Sequence, residues 1–295
     1  MPPKRIHSVV IPAAGRGTRL LPATKTTPKE LLNVYDRPVM QFAIDEAVDL
    51  GADRIIIVIH PEKGAIRDYL APANGYATFL RDSGKADLAQ ALQDLEVPGR
   101  VEIMFAEQPV PLGLGHAVLC ARDLVLPGPV GVILPDDLIF GPPCLSEMAA
   151  HYLRGHMIAA MEVSAAETGS YGIFALAGLS IGRCVPVSGM VEKPGVGLAP
   201  SRLAAVGRYI LDPAIFATLA TGVKGAGGEI QLTDALERET ARLPLTAFRF
   251  SGVRYDCGAH DGLMDASLAQ QAKAKQRLAG ARRLMQTAQT LTLQV

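Results

Sequence analysis

Apolar runs alternate with amphipathic stretches through the first half of the chain. Ile6 to Pro12 reads as a strand. Arg54 to His60, RIIIVIH, is a continuous β-branched run, the pattern of a strand covered on both faces. Val101 to Ala106 and Val130 to Leu134 are two further strands. Between them, Pro38 to Leu50 places apolar residues at helical spacing and stops at Gly51. Glu62 to Leu70 and Gly115 to Leu124 are read as helices as well. Such βαβ alternation predicts an α/β protein with a mixed, mostly parallel central sheet and helices on both faces.

The pattern changes in two places. Residues 74–99, with SGKADLAQALQDLE, are polar and helical and read as a surface excursion. After Pro142 the strands become short and interleaved with glycine and proline: Met157–Val163, Tyr171–Leu176, Cys184–Val191, Ala204–Leu211 and Leu245–Phe250. Helices are expected over Pro213–Leu219, Ile230–Arg242 and Asp261–Leu278, with the tail helical at first.

The first strand runs into VVIPAAGRGTRLLPATKTTPKELLN, residues 9–33. A glycine turn after a buried strand lets backbone approach a ligand. Its N–H groups, followed by Arg16, Arg19, Lys25 and Lys29, suit a polyphosphate better than they suit a turn with a solvated basic face. Two commoner phosphate loops are excluded. Gly15 and Gly17 lack the third glycine of the dinucleotide fingerprint, and Pro22 opposes a long following helix. No Gly-Lys-Ser/Thr tripeptide occurs, so there is no Walker A loop.

Composition limits the alternatives. Hydrophobic residues make up 49% of 295, ample for a core, and 29 basic residues balance 29 acidic ones. A general nucleic-acid binder carries a basic excess, so none is expected. Four separated cysteines with no Cys-x-x-Cys pair fit reduced thiols in the cytoplasm rather than zinc. No His-Glu-x-x-His occurs. No signal-peptide core follows the N-terminus, and no apolar run reaches the roughly 20 residues that cross a bilayer.

Other candidates lie at strand ends. Asp136-Asp137 follows VGVILP, where open α/β sheets bind ligands, and paired carboxylates suit Mg²⁺. Asp256 is either a second metal ligand or a helix N-cap. Gln108, in a loop with Gly113 and Gly115, can read a base edge. Glu192-Lys193 alone reads as a surface ion pair. Gly172, Gly207-Arg208 and the 228–234 stretch alone pass as turn or helix-start chemistry. Residues 178–182, GLSIG, match a nucleophile elbow, but a strand rather than a helix is expected after them, so the match is read as chance. His116 and His260 are read as structural.

Taken together, these residues resemble a family. AAGRGTRLLPATKTTPKELL resembles the nucleotide-binding signature of sugar-nucleotide pyrophosphorylases. Its PATK and PKE form is similar to that of bacterial UTP–glucose-1-phosphate uridylyltransferases. The likeness continues in order through EQPVPLGLGHAVLCA, VILPDD, YGIF, VEKP, VGRYIL, GGEIQLTDAL and DCG.

The resemblance implies a Rossmann-like nucleotidyltransferase fold and one reaction: UTP and α-D-glucose 1-phosphate give UDP-glucose and pyrophosphate, with Mg²⁺. It implies that Ala13, Ala14 and Gly15 contact the nucleoside while Gly17 shapes the loop. Gln108 and Gly113 would read uracil, and Asp137 would lie near the ribose. Arg19, Lys29 and Lys193 would be catalytic, the first two on the triphosphate and Lys193 on the sugar's phosphate. Gly172, Glu192 and Gly207 would bind the sugar, and Asp136 and Asp256 the metal. A catalytic domain over 1–265 is expected, its nucleotide half about 1–140 and its sugar half about 141–265, with a helical tail over 266–295. A homo-oligomer, dimer or tetramer, is also implied. Asn33 departs from the family's usual proline, which should alter only a turn. Two rivals remain: the same chemistry on another sugar phosphate or dTTP, and a non-catalytic nucleotide-sugar-binding paralogue.

Overall fold

The computed structural model describes residues 5–178, 181–195 and 197–292, the side chains of 226 and 277–292 excepted. In chain order the first half comprises β1 (Ser8–Pro12), β2 (Asn33–Val34), β3 (Arg37–Pro38), α1 (Val39–Asp49), β4 (Arg54–Ile59) and α2 (Gly64–Leu70). It continues with α3 (Asn74–Asp82), α4 (Ala86–Gln93), β5 (Glu102–Glu107), α5 (Leu114–Cys120), β6 (Val130–Ile133), β7 (Asp137–Phe140) and α6 (Cys144–His151). The second half adds β8 (His156–Glu162), β9 (Gly172–Leu176), β10 (Cys184–Glu192), β11 (Leu203–Leu211), α7 (Ile215–Ala220) and α8 (Leu232–Glu239). It ends with β12 (Leu245–Arg249), β13 (Val253–Asp256) and α9 (His260–Thr292).

Nine strands form one sheet in the order β5-β4-β1-β6-β11-β8-β12-β10-β9. The first four are mutually parallel. Beyond β6 only β8 and β12 are parallel neighbours; β11, β10 and β9 pair antiparallel. The sheet is therefore mixed as expected, but not mostly parallel: parallel pairing is concentrated in the first half, and four parallel pairings stand against five antiparallel ones, β11–β9 included. Helical crossovers generate the first half; in the second, β9 returns directly to β10 while α7 and α8 separate β11 from β12.

Side chains on a strand alternate between faces, and each face has its own core. Val10, Ile56, Val58 and Val132 join α5, α7 and α8 on one side. Val9, Ile11, Ile55, Ile57 and Ile59 join α1, α2 and α6 on the other. Ile55 to Ile59 are at most 1% exposed, and each such side chain contributes about 1.5–3 kcal/mol of burial.

Four features add to or differ from expectation. The 74–99 excursion holds two helices, α3 and α4, packed around Ala77, Leu80 and Ala89. Helix α6 lies in the stretch after Pro142. Strands β7 and β13 form a separate antiparallel ribbon. Helix α9 runs unbroken through the boundary expected at 265. Asn33 pairs with Pro38 in a hairpin of two-residue strands. Leu179 and Ser180, inside the elbow-like GLSIG, lie outside the described residues, and strand β10 begins at Cys184.

Candidate active site

The connections reverse between β1 and β6. From β1 the chain moves outward through β4 to β5, then returns to place β6 on β1's other side. Open α/β sheets bind ligands outside the carboxyl ends of strands at such a switch point. The loop after β1 and the Leu134–Asp136 loop after β6 meet there.

The β1 loop presents unpaired donors. Ala13 N–H donates to Val58 O at 2.7 Å, closing the strand. No N–H from residue 14 to residue 17 has a protein acceptor among the described residues. Gly17 adopts φ +67°, and a β-carbon there would meet Lys29 Cβ at 3.2 Å and Thr24 Cγ2 at 3.1 Å. The glycine thus lets the segment bearing Lys29 fold against the loop.

Ribbon register supplies the acidic partners. Asp137 on β7 stands opposite Asp256 on β13, and Cys257 N–H donates to Asp136 O at 2.7 Å. Lys29 Nζ meets Asp136 Oδ2 at 2.5 Å, and Arg19 Nη1 meets Asp256 Oδ2 at 3.4 Å. Burial alone would raise the Asp136 carboxyl, but Lys29 holds it below its ordinary value. Burial likewise opposes the Lys29 ammonium, and Asp136 and Glu30 more than offset it, so its pKa is raised. Asp256 also accepts Gly258 N–H at 3.0 Å through Oδ1, so it shapes the entry to α9 as well as facing Arg19.

Gly258 is where these groups converge. A β-carbon there would lie 2.5 Å from Arg19 Nη2, 2.9 Å from Asp136 Oδ2 and 3.0 Å from Asp256 Oδ1. Two close carboxylates beside two cations fit a hard divalent ion, which takes one or two protein carboxylates and fills its shell with substrate oxygens and water. No group of three or more His, Cys, Asp or Glu that could hold a metal occurs among the described residues.

Two adjoining cavities open around this point. One of about 300 Å³ is lined by Ala14, Gly15, Lys29, Gln108, Gly113 and Asp136, among others. The other, of about 500 Å³, is lined by Arg19, Asp136, Asp137, Gly172, Glu192, Lys193, Gly207 and Asp256, among others. They share Leu114, Leu134, Asp136 and Glu229. Every residue expected to be catalytic, sugar-binding or metal-binding therefore lines one cavity or both. Ala13 and Gly17 line neither. Arg16 and Lys25 are exposed around a third recess that shares Ala14 with the smaller cavity.

Local bonding refines individual roles. Gln108 is 4% exposed. Its Nε2 donates to Gly113 O at 3.1 Å and to His116 Nδ1 at 2.9 Å, which leaves Oε1 as the acceptor in the smaller cavity. Burial lowers the His116 pKa, which favours the neutral ring, and Nδ1 accepts in the tautomer that carries its proton on Nε2. Glu192 is no surface charge: Thr233 Oγ1 fixes its Oε2 at 2.8 Å, beside Gly172. Lys193 has φ +44°, unusual for a side-chain-bearing residue. Its Nζ lies 3.7 Å from Glu192 Oε1 and is largely exposed. Asp137, expected near a ribose, lines the larger cavity instead. Arg254 engages its Oδ1 and Gly207 N–H its Oδ2, so both oxygens are committed.

Several residues escaped the sequence reading. Arg208, 2% exposed, pairs with Glu46 at 2.8 Å and donates to Leu134 O and Asp137 O at 3.2 and 2.8 Å, gripping both ends of the Asp136 loop. Arg254 bridges Asp137 and the Tyr171 hydroxyl. Lys63 pairs with buried Glu30 at 2.8 Å. Of these only Arg208 carried a signal, beside Gly207.

The nucleotidyl transferase family model matches residues 8–273. A UTP--glucose-1-phosphate uridylyltransferase of Bacillus subtilis (strain 168) is 40% identical over 268 residues, covering 90% of this chain and 91% of that one. One from Komagataeibacter xylinus is 39% identical over 261 residues, covering 87% and 90%. Among solved structures, a UTP-bound UGPase from Acinetobacter baumannii superposes with a TM-score of 0.82 at 38% identity, covering 90% of this chain and 93% of that one. A UDP-glucose pyrophosphorylase complexed with UDP-glucose gives 0.80 at 36%, covering 91% and 99%.

Proposed function

The chain belongs to the nucleotidyl transferase family, and on that premise we propose that it transfers the uridylyl group of UTP to α-D-glucose 1-phosphate, releasing UDP-glucose and pyrophosphate. One observation carries the reading: Arg19, Lys29, Asp136 and Asp256 converge where two adjoining cavities meet. Relatives that share this chain nearly end to end bear the name of that activity.

In this reading the uridine sits in the smaller cavity against Ala14 and Gly15, with Gln108 Oε1 facing the base's N–H. The free N–H groups of residues 14–17 and the cations Arg19 and Lys29 hold the triphosphate. Glucose 1-phosphate enters the larger cavity, its hydroxyls toward Gly172, Glu192 and Gly207 and its phosphate toward Lys193. A phosphate oxygen of the sugar attacks the α-phosphorus in line; the new P–O bond forms as the bond to the β-phosphate oxygen breaks, and pyrophosphate leaves on the opposite side. Positioning and charge neutralisation dominate such chemistry. Mg²⁺ held by Asp136 and Asp256 would neutralise phosphate charge as a Lewis acid. Asp137 serves here by fixing Arg254 and Gly207 in the cavity wall.

The catalytic unit is taken as 1–265, with the remainder of α9 as a tail. A cytoplasmic homo-oligomer, dimer or tetramer, belongs to the same proposal, and light scattering measures its mass. All four cysteines are free, in keeping with a reducing compartment. No described helix is long and apolar enough to cross a membrane. The complete set of cations and carboxylates weighs against a non-catalytic paralogue. A substrate panel tests selectivity: kcat/KM should be highest for UTP with glucose 1-phosphate. A clear preference for dTTP or N-acetylglucosamine 1-phosphate would replace that substrate pair.

A further inference from the structure

Lys63 lies on the turn between β4 and α2, outside both cavities, yet its ammonium is spent entirely on the β1 loop and Glu30. Nζ donates to Ala13 O at 2.6 Å, to Gly15 O at 2.6 Å and to Glu30 Oε2 at 2.8 Å. An ammonium has three protons and no acceptor capacity, so all three are used. The side chain is 12% exposed and that of Glu30 is 0% exposed.

The two carbonyl contacts fix more than the carbonyls. In a trans peptide the C=O of one residue and the N–H of the next point in opposite directions. Both peptides are trans. Turning Ala13 O and Gly15 O onto Lys63 therefore turns Ala14 N–H and Arg16 N–H away from it. These are among the donors without a protein partner. The third contact ties the loop to Glu30, which adjoins Lys29, and so sets the spacing of the two segments that carry phosphate-binding groups.

Charge adds a second role. Glu30 lines the smaller cavity, and its Oε1 is buried without a hydrogen-bond partner. Unpaired, that carboxylate would repel a phosphate across a low-dielectric wall. Lys63 neutralises it from behind.

We propose that Lys63, acting with Glu30, is a positioning residue for the nucleotide: it orients the β1 loop so that its amides face the triphosphate. The inference rests on the uridylyl-transfer reading and adds a residue that no substrate touches.

Steady-state kinetics and thermal unfolding of Lys63→Met, Lys63→Arg and the double variant Glu30→Gln/Lys63→Met test it. Arginine keeps the charge but cannot bring one nitrogen to three acceptors. The double variant removes both buried charges and keeps the packing. KM for UTP should rise about tenfold or more in all three, as expected for losing hydrogen bonds from a charged donor. KM for glucose 1-phosphate should stay within about twofold, because the sugar cavity is untouched. The double variant should regain the thermal stability lost by Lys63→Met without regaining UTP affinity. Recovery of wild-type KM for UTP in the double variant, or an equal rise in both KM values, would make Lys63 a purely structural residue and overturn the proposal. A wild type inactive with UTP would overturn the uridylyl-transfer reading and this inference with it. An active wild type whose KM for UTP is unchanged in the variants would overturn this inference alone.

Discussion

Lys29 and Asp136, 107 positions apart, meet at 2.5 Å with side chains only 17% and 21% exposed. A candidate phosphate-binding cation and a candidate metal ligand thus neutralise one another before any substrate arrives. The pair stores both charges at the place where a triphosphate would separate them: the cation toward phosphate, the carboxylate released.

The pair sets a pH window. Asp136 titrates below its ordinary 3.8, so its stabilisation is present above that value and lost as pH falls through the depressed pKa. Lys29 titrates above its ordinary 10.5, so its share persists below that value and is lost as pH rises through the raised pKa. The difference in thermal stability between wild type and Asp136→Asn should therefore be flat from about pH 5 to about pH 9 and should change only in stronger acid or base. A difference that varied steadily across neutral pH would place the titration elsewhere.

Asp136→Asn should lower kcat by on the order of 100-fold or more, the scale for removing one preorganised electrostatic group. Raising Mg²⁺ should not restore it, since an amide is a poor ligand for a hard cation. Near-normal turnover would remove Asp136 from the chemistry.

Gly258→Ala inserts a methyl group where Arg19 Nη2, Asp136 Oδ2 and Asp256 Oδ1 crowd within 3.0 Å. One of the three must move. kcat should fall about tenfold or more, the sensitivity of such sites to small misplacements, while the unfolding midpoint changes little. Unimpaired kcat would mean that this convergence is not the reacting centre.

Lys193→Ala should raise KM for glucose 1-phosphate by about tenfold or more, the loss of one charge-assisted contact, and leave KM for UTP nearly unchanged. Equal effects on both substrates would detach Lys193 from the sugar phosphate.

Much of this was legible beforehand, for physical reasons. β4 shows in sequence because both its faces are buried and every side chain from Ile55 to Ile59 is apolar. The β1 loop shows because glycine and cations cluster locally. Helix α6 and the β7–β13 ribbon did not show. α6 is eight residues preceded by two prolines, and DLIF and VRYD are too short to display a period. That ribbon is what brings Asp256 to Asp137, so the geometry of the candidate metal site stayed hidden while its residues were visible. Arg208 and Glu46 are joined across 162 positions, which no local pattern records.

The Arg208–Glu46 pair yields a stability prediction. Arg208→Met leaves Glu46 buried and uncompensated and should cost about 3–5 kcal/mol in denaturant unfolding. Because Arg208 also grips Leu134 O and Asp137 O, kcat should fall in the fraction that stays folded. Unaltered stability would show that the pair is not the clamp its geometry describes.

The most direct measurement follows pyrophosphate and UDP-glucose together after UTP, α-D-glucose 1-phosphate and Mg²⁺ are mixed with the purified protein. Uridylyl transfer predicts equal amounts of both products, formed only when both substrates are present. Pyrophosphate without UDP-glucose, or neither product at any divalent-metal concentration, would contradict it.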